Sequence, residues 1–135
     1  MIKGLAHVCF TVRDLPRSVE FYCGRLGLRK AFDFTRPDGT VFGVYLKVGP
    51  RAFIELFQGE AGAAGARGSY AHLCLEVDDM TRTVAELRSR GVEVSDPVLG
   101  CDHSWQAWLA DPDGNRMELH AYTPESWQAP HVDAR

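Results

Sequence analysis

Over residues 7 to 12 apolar and polar side chains alternate, with Val8, Phe10 and Val12 on one face and His7, Cys9 and Thr11 on the other. That period of two is the mark of a strand buried on one side. The period then lengthens. Asp14 supplies a helix cap, Pro16 is tolerated in a first helical turn, and Val19, Phe21, Tyr22 and Leu26 recur at helical spacing until Gly27 stops them. Strand-like runs follow over residues 29–34, 41–47 and 52–57, with a Pro/Asp/Gly turn at 36–40. The later half of the chain repeats the order. Leu73, Leu75 and Val77 define a strand, Asp78 and Asp79 a cap, Val84 and Leu87 a helix, and Gly91 its end. Strands are then expected over 92–94, 104–110 and 115–121, with DPDGN at 111–115 as the turn between the last two.

The copying extends to residue identity. AHVCFTVRDLPRSVEF, from Ala6, aligns without gaps on the segment that starts at Ala71, an offset of 71 − 6 = 65, with His7/His72, Cys9/Cys74, Val12/Val77, Asp14/Asp79 and Arg17/Arg82 among the identities. VYLKVGPRAFIEL, from Val44, matches AWLADPDGNRMEL, from Ala107, with Glu55/Glu118 identical at an offset of 118 − 55 = 63. A repeat of this kind decides the architecture. The chain is expected to be α+β, one domain over residues 1–122 built from paired βαβββ modules at about 1–58 and 70–122, with a mobile Gly/Ala-rich linker at 59–69 and a polar tail at 123–135. Two sheets, each with its helix on the outer face, would form a curved, partly closed surface around a cleft. Val8, Phe10, Val12, Ile54, Leu56, Leu73, Leu75, Leu109, Met117 and Leu119 then pack under the helices. His7, Cys9, Thr11, Glu55, His72, Cys74, Glu76, Glu118 and His120 point the other way, joined by Gln106 and Trp108 if the last hairpin sets Trp108 opposite Glu118.

Two histidines and two glutamates at repeat-related positions are a metal-ligand pattern. Isolated buried carboxylates are costly, and a divalent cation compensates two of them directly. Two neutral imidazoles and two carboxylates suit one Zn, Ni, Co, Mn or Fe ion and leave its site without formal charge. Net charge and composition narrow the partners. A formal charge of −3 without a dense basic cluster argues against nucleic acid, and no apolar run reaches membrane-spanning length, so a small-molecule substrate and a cytoplasmic location are expected. Cys9, Cys23, Cys74 and Cys101 show no paired spacing and are expected to be reduced and mostly buried. His103, Trp105, Gln106 and Trp108 lie in a polar-aromatic stretch suited to gripping substrate, Arg116, Glu76 and His120 could orient a substrate or support a ligand, and His131 is assigned no chemistry.

AHVCFTVRDLPRSVEFYCGRLGL, FIELF, AHLCLEVDDM and AWLADPDGNRMELH resemble the motif segments of the vicinal oxygen chelate superfamily, which includes glyoxalase I, methylmalonyl-CoA epimerase, extradiol dioxygenases and fosfomycin and bleomycin resistance proteins. The resemblance implies the paired βαβββ fold, commonly a homodimer, with His7, Glu55, His72 and Glu118 as metal ligands. A carboxylate at the place of Glu55 points to the glyoxalase I subgroup, whose chemistry is proton transfer through a metal-chelated enediolate, with Glu118 or Glu55 as ligand and base. The alternatives are an Fe(II) extradiol-type dioxygenase and a metal-free drug-binding resistance protein. Where glyoxalase I carries an Arg and an Asn against glutathione, this chain has Thr11 and Gly59.

Overall fold

A computed structural model describes residues 4–60, 70 and 72–132. Most of the expected linker, residues 61–69, lies outside them. The chain divides into two compact units, Met1–Arg67 and Gly68–Arg135.

In the first unit β1 (His7–Val12) leads into α1 (Leu15–Val19), and β2 (Arg29–Thr35), β3 (Val41–Lys47) and β4 (Phe53–Gln58) follow. The strand order is β1-β4-β3-β2, with β1 parallel to β4 and the other neighbours antiparallel. Parallel neighbours need a long crossover, and the intervening helix and hairpin supply it. Asp14 caps α1 by accepting from the Arg17 backbone N–H, as the sequence suggests. The helix does not run as one regular α-helix to Gly27. After Val19 it widens into a π-helical stretch, Glu20–Arg25, closed by the Leu26 N–H donating to the Phe21 carbonyl. The wider turn accompanies burial of the adjacent Phe21 and Tyr22, which meet edge to face at 5.3 Å.

The second unit repeats the plan with β5 (Leu73–Glu76), α2 (Met80–Ser89), β6 (Val98–Leu99), β7 (Trp105–Ala110) and β8 (Arg116–Ala121) in the order β5-β8-β7-β6. Asp79 is the cap of α2. The last hairpin pairs Trp108 with Glu118 and Gln106 with His120, the register read from DPDGN. Residues 92–94 are not a strand. Val92 and Val94 are buried there in irregular chain, the Val94 carbonyl accepts from Arg88, and pairing resumes only after Pro97, which has no N–H to offer a ladder.

In each unit the core lies between helix and sheet. Val12, Leu46, Ile54 and Leu56 are fully buried in the first, and Met117, Leu119, Leu109 and Val84 are buried in the second. Val8, Leu73 and Leu75, expected in the core, are half-buried. The four cysteines are free, as expected, but Cys9, Cys74 and Cys101 are exposed and Cys23 is half-buried. Cys9 and Cys74 fall on the strand faces turned away from the helices, which explains their exposure. Leu56→Ala is therefore expected to cost about 2 to 5 kcal/mol in chemical denaturation, and Cys9→Ala within about 0.5 kcal/mol. Equal losses would mean that the assigned strand faces are wrong.

Candidate metal centre

Register brings each histidine to its glutamate. Cys9 is the residue directly opposite Glu55 across β1 and β4, so His7, two residues earlier on the same face, reaches the carboxylate diagonally, with Nε2 3.3 Å from Glu55 Oε2. The second unit does the same through Cys74 and Glu118, with His72 Nε2 3.1 Å from Glu118 Oε2. Two donors held about 2.1 Å from one ion at octahedral or tetrahedral angles lie about 3.0 to 3.4 Å apart. Both pairs meet that spacing. In the first unit Tyr45, opposite Glu55 on β3, shares a 3.1 Å hydrogen bond with His7 Nδ1. A His7 that ligated through Nε2 would carry its proton on Nδ1, where the tyrosine oxygen stands to accept it.

The surroundings of the two pairs differ. Around the first, Tyr45 stacks on Phe53 at 4.8 Å and on Phe32 at 4.9 Å, and the Phe57 ring lies over Gly43, where any Cβ would run into it. Around the second, the surface is polar. His72, Cys74, Asp102, Gln106, Glu118 and His120 line a pocket of about 450 Å³. His120 is buried, and its Nδ1 lies 3.0 Å from Glu118 Oε1; a carboxylate only accepts, so Nδ1 carries the proton. The opposite ring nitrogen, Nε2, is buried without a hydrogen-bond partner, 3.9 Å from Asp102 Oδ2, which accepts from Gln128 at 2.7 Å. Cys74, Glu118 and His120 form a group whose donor atoms lie within 4.8 Å of one another and could hold a metal ion. Burial, then the charge and hydrogen bond of Glu118, pushes the Cys74 thiol up to about 12; Cys9 is raised by burial and then by Glu55.

Of the residues expected to grip substrate, Gln106 lines the second-unit pocket. Trp108 meets the His72 ring edge to face at 5.0 Å and carries the Arg116 guanidinium 3.9 Å above its own ring. Thr11 is exposed and sits opposite Phe57. His103 occupies a turn at φ 62°, where its carbonyl accepts from the Thr123 and Ser126 hydroxyls, and it does not line the pocket. Trp105 is exposed at the start of β7, between Leu99 of β6 and Ala121 of β8. Sequence reading missed Tyr45. Its signal was present, because Tyr45 lies 108 − 45 = 63 positions before Trp108, the offset that relates the glutamates.

The sequence profile of the Glyoxalase/Bleomycin resistance protein/Dioxygenase superfamily matches residues 4–119. The chain belongs to this superfamily. Its α+β fold, two βαβββ modules with a mixed four-stranded sheet each, is that of solved members of the superfamily. It is 31% identical over 121 residues to a probable lactoylglutathione lyase of Synechocystis sp., covering 85% of this chain and 92% of the relative. A chloroplastic probable lactoylglutathione lyase of Arabidopsis thaliana is 29% identical over 132 residues; this chain spans 37% of its length. Among solved structures, TnmS3, an antibiotic binding protein from Streptomyces sp. CB03234, is 25% identical with a TM-score of 0.74, over 90% of this chain and 98% of that one. The superfamily thus includes proteins described as enzymes and as binders. Among the described residues, no helix is long and apolar enough to cross a membrane.

The raised Cys74 thiol yields a measurable outcome. At pH 9, where an ordinary protein thiol is about half ionised, a thiol near 12 is about 0.1% thiolate, so metal-free protein should show alkylation of Cys74 by iodoacetamide that keeps climbing with pH beyond 10. Peptide mass spectrometry reads the site. A labelling rate that levels off near pH 9 would contradict the environment described.

Proposed function

We propose that the chain is a divalent-metal-dependent lyase or isomerase of the glyoxalase type, in which His7, Glu55, His72 and Glu118 hold one metal ion and a small substrate with two adjacent oxygens is the reactant. The observation that carries this reading is the pair of repeat-related imidazole–carboxylate contacts, 3.3 and 3.1 Å long, at the spacing of neighbouring metal ligands. A bound Zn, Ni, Co, Mn or Fe ion would supply positive charge beside the two substrate oxygens, where negative charge develops as a carbon-bound proton leaves. The protein's part is to take that proton and return it. Glu55 and Glu118 are the carboxylates placed for this, and Tyr45 holds the His7 ring in orientation. Gln106, Trp108 and Arg116 are proposed to contact substrate. Similarity to lactoylglutathione lyases supports an enzyme of this class. The Thr11 hydroxyl offers glutathione no cation and Gly59, without a side chain, no amide, so the preferred substrate is a non-glutathione α-hydroxycarbonyl or dicarbonyl compound.

A second reading has one observation in its favour. The aromatic face around Tyr45 and the likeness to TnmS3 fit a binding protein for a ring-bearing compound. One set of measurements separates the readings. Metal content is measured on protein purified without chelator, and turnover of α-hydroxycarbonyl compounds and catechols is followed with and without oxygen for wild type, Glu55→Gln and Glu118→Gln at saturating metal. Proton transfer predicts metal in the wild type, turnover unaffected by nitrogen, and a loss of about 10² to 10⁴ in at least one variant, since Gln keeps a ligand oxygen but takes no proton. Oxygen-dependent turnover that survives Glu55→Gln would indicate a dioxygenase, and ligand binding without metal or turnover would indicate a binding protein.

A further inference from the structure

The two glutamates that the metal reading treats alike are held differently, and from this we infer that His120 is a positioning residue that clamps Glu118 as the fixed ligand, leaving Glu55 as the carboxylate that moves to take the substrate proton. The inference rests on the metal reading above. Both oxygens of Glu118 are engaged, Oε2 by His72 and Oε1 by the proton on His120 Nδ1, and its side chain is 9% exposed. Glu55 has its Oε2 beside His7 and the weak thiol donor of Cys9 nearby, and its side chain is 16% exposed. At the offset of 120 − 57 = 63, the counterpart of His120 is Phe57, whose ring packs on Phe34 and Phe42 and has no proton to donate. One carboxylate therefore has an imidazole anchor and the other has an aromatic ring in the same position of its module.

The unpartnered Nε2 strengthens the assignment. The buried ring leaves Nε2 without a hydrogen-bond partner, which is a cost to the fold. An apolar side chain avoids that cost, as Phe57 does. The histidine in this position makes one good contact, to Glu118 Oε1, and that contact accounts for it. In the reaction, a substrate C–H bond breaks, its electron pair shifts toward the adjacent carbonyl, and the proton passes to a Glu55 oxygen. Glu55 then returns it to the neighbouring carbon, so no oxidant or reductant enters.

Zinc affinity of the full chain, measured by calorimetry without substrate, tests the clamp. His120→Phe should weaken zinc binding about 10- to 100-fold, the usual effect of losing a ligand's hydrogen-bonded support. His120→Asn, whose amide can stand where Nδ1–H stood, should recover most of the affinity, whereas His120→Gln, which places its amide at the level of Nε2, should not. The Asn/Gln comparison holds even if the Phe variant folds poorly. Equal affinities in all four proteins, or equal loss in Asn and Gln, would overturn the clamp. A wild type that takes up no zinc, nickel or cobalt would overturn the metal reading, and the clamp with it. With saturating metal that supports wild-type turnover, Glu55→Gln should lose about 10² to 10⁴ in kcat and Glu118→Gln about tenfold or less. The reverse order would put the moving carboxylate at Glu118.

Discussion

Each half of the molecule depends on one parallel pairing, β1 with β4 and β5 with β8. The strand pleat sends successive side chains to opposite faces, so the register that buries Phe10 against Leu56 also sets Cys9 opposite Glu55 and brings His7 within reach of it. Slipping by one residue would expose the core and bury a histidine and a glutamate together. Burial of the apolar face and placement of the polar pair are therefore one event, and stability and site geometry cannot be separated in these strands. The same holds for Leu75, Leu119, Cys74 and Glu118 in the second half.

Within each pair, imidazole and carboxylate satisfy each other without metal, which limits the cost of holding a half-buried or buried carboxylate in a folded chain. Glu118, 7% exposed, would be expensive alone, and His72 and His120 meet its two oxygens. The arrangement is preorganised in the useful sense. Replacing the His–Glu contact by an ion between the two donors requires loss of the shared proton and little movement, because the donors already stand at ligand spacing.

How much of this was legible in the sequence follows from what sequence periodicity encodes. The offsets of 65 and 63 located the first and last strands of both modules, and DPDGN fixed the hairpin register that sets Trp108 against Glu118. Short or irregular segments were not legible. Val92 and Val94 read as a strand because they alternate with Glu93, yet they are buried by loop packing that Arg88 ties down through the Val94 carbonyl. The π-helical stretch at Glu20–Arg25 was hidden because one inserted residue per turn barely disturbs an apolar stripe. Alternation placed His120 on the face of Glu118, but the contact between them depends on a rotamer, and rotamers leave no trace in spacing.

The divergence of the two halves carries the functional content that their likeness cannot. Tyr45 and Trp108 occupy equivalent positions, as do Gly43 and Gln106, Phe53 and Arg116, and Phe57 and His120. At each of the last three positions the first half keeps an apolar or small residue and the second a polar one. Gly43 is bound to its neighbour's choice, since only a residue without Cβ leaves room for the Phe57 ring above it, whereas Gln106 faces His120 and the polar pocket. A repeat serving only the fold has no reason to segregate aromatic rings around one His–Glu pair and hydrogen-bonding groups around the other. Segregation of this kind gives one carboxylate an apolar, weakly hydrogen-bonded setting and the other a network of donors. Carboxylates in such unlike settings are suited to unlike tasks, one to exchange a proton and the other to stay where it is held.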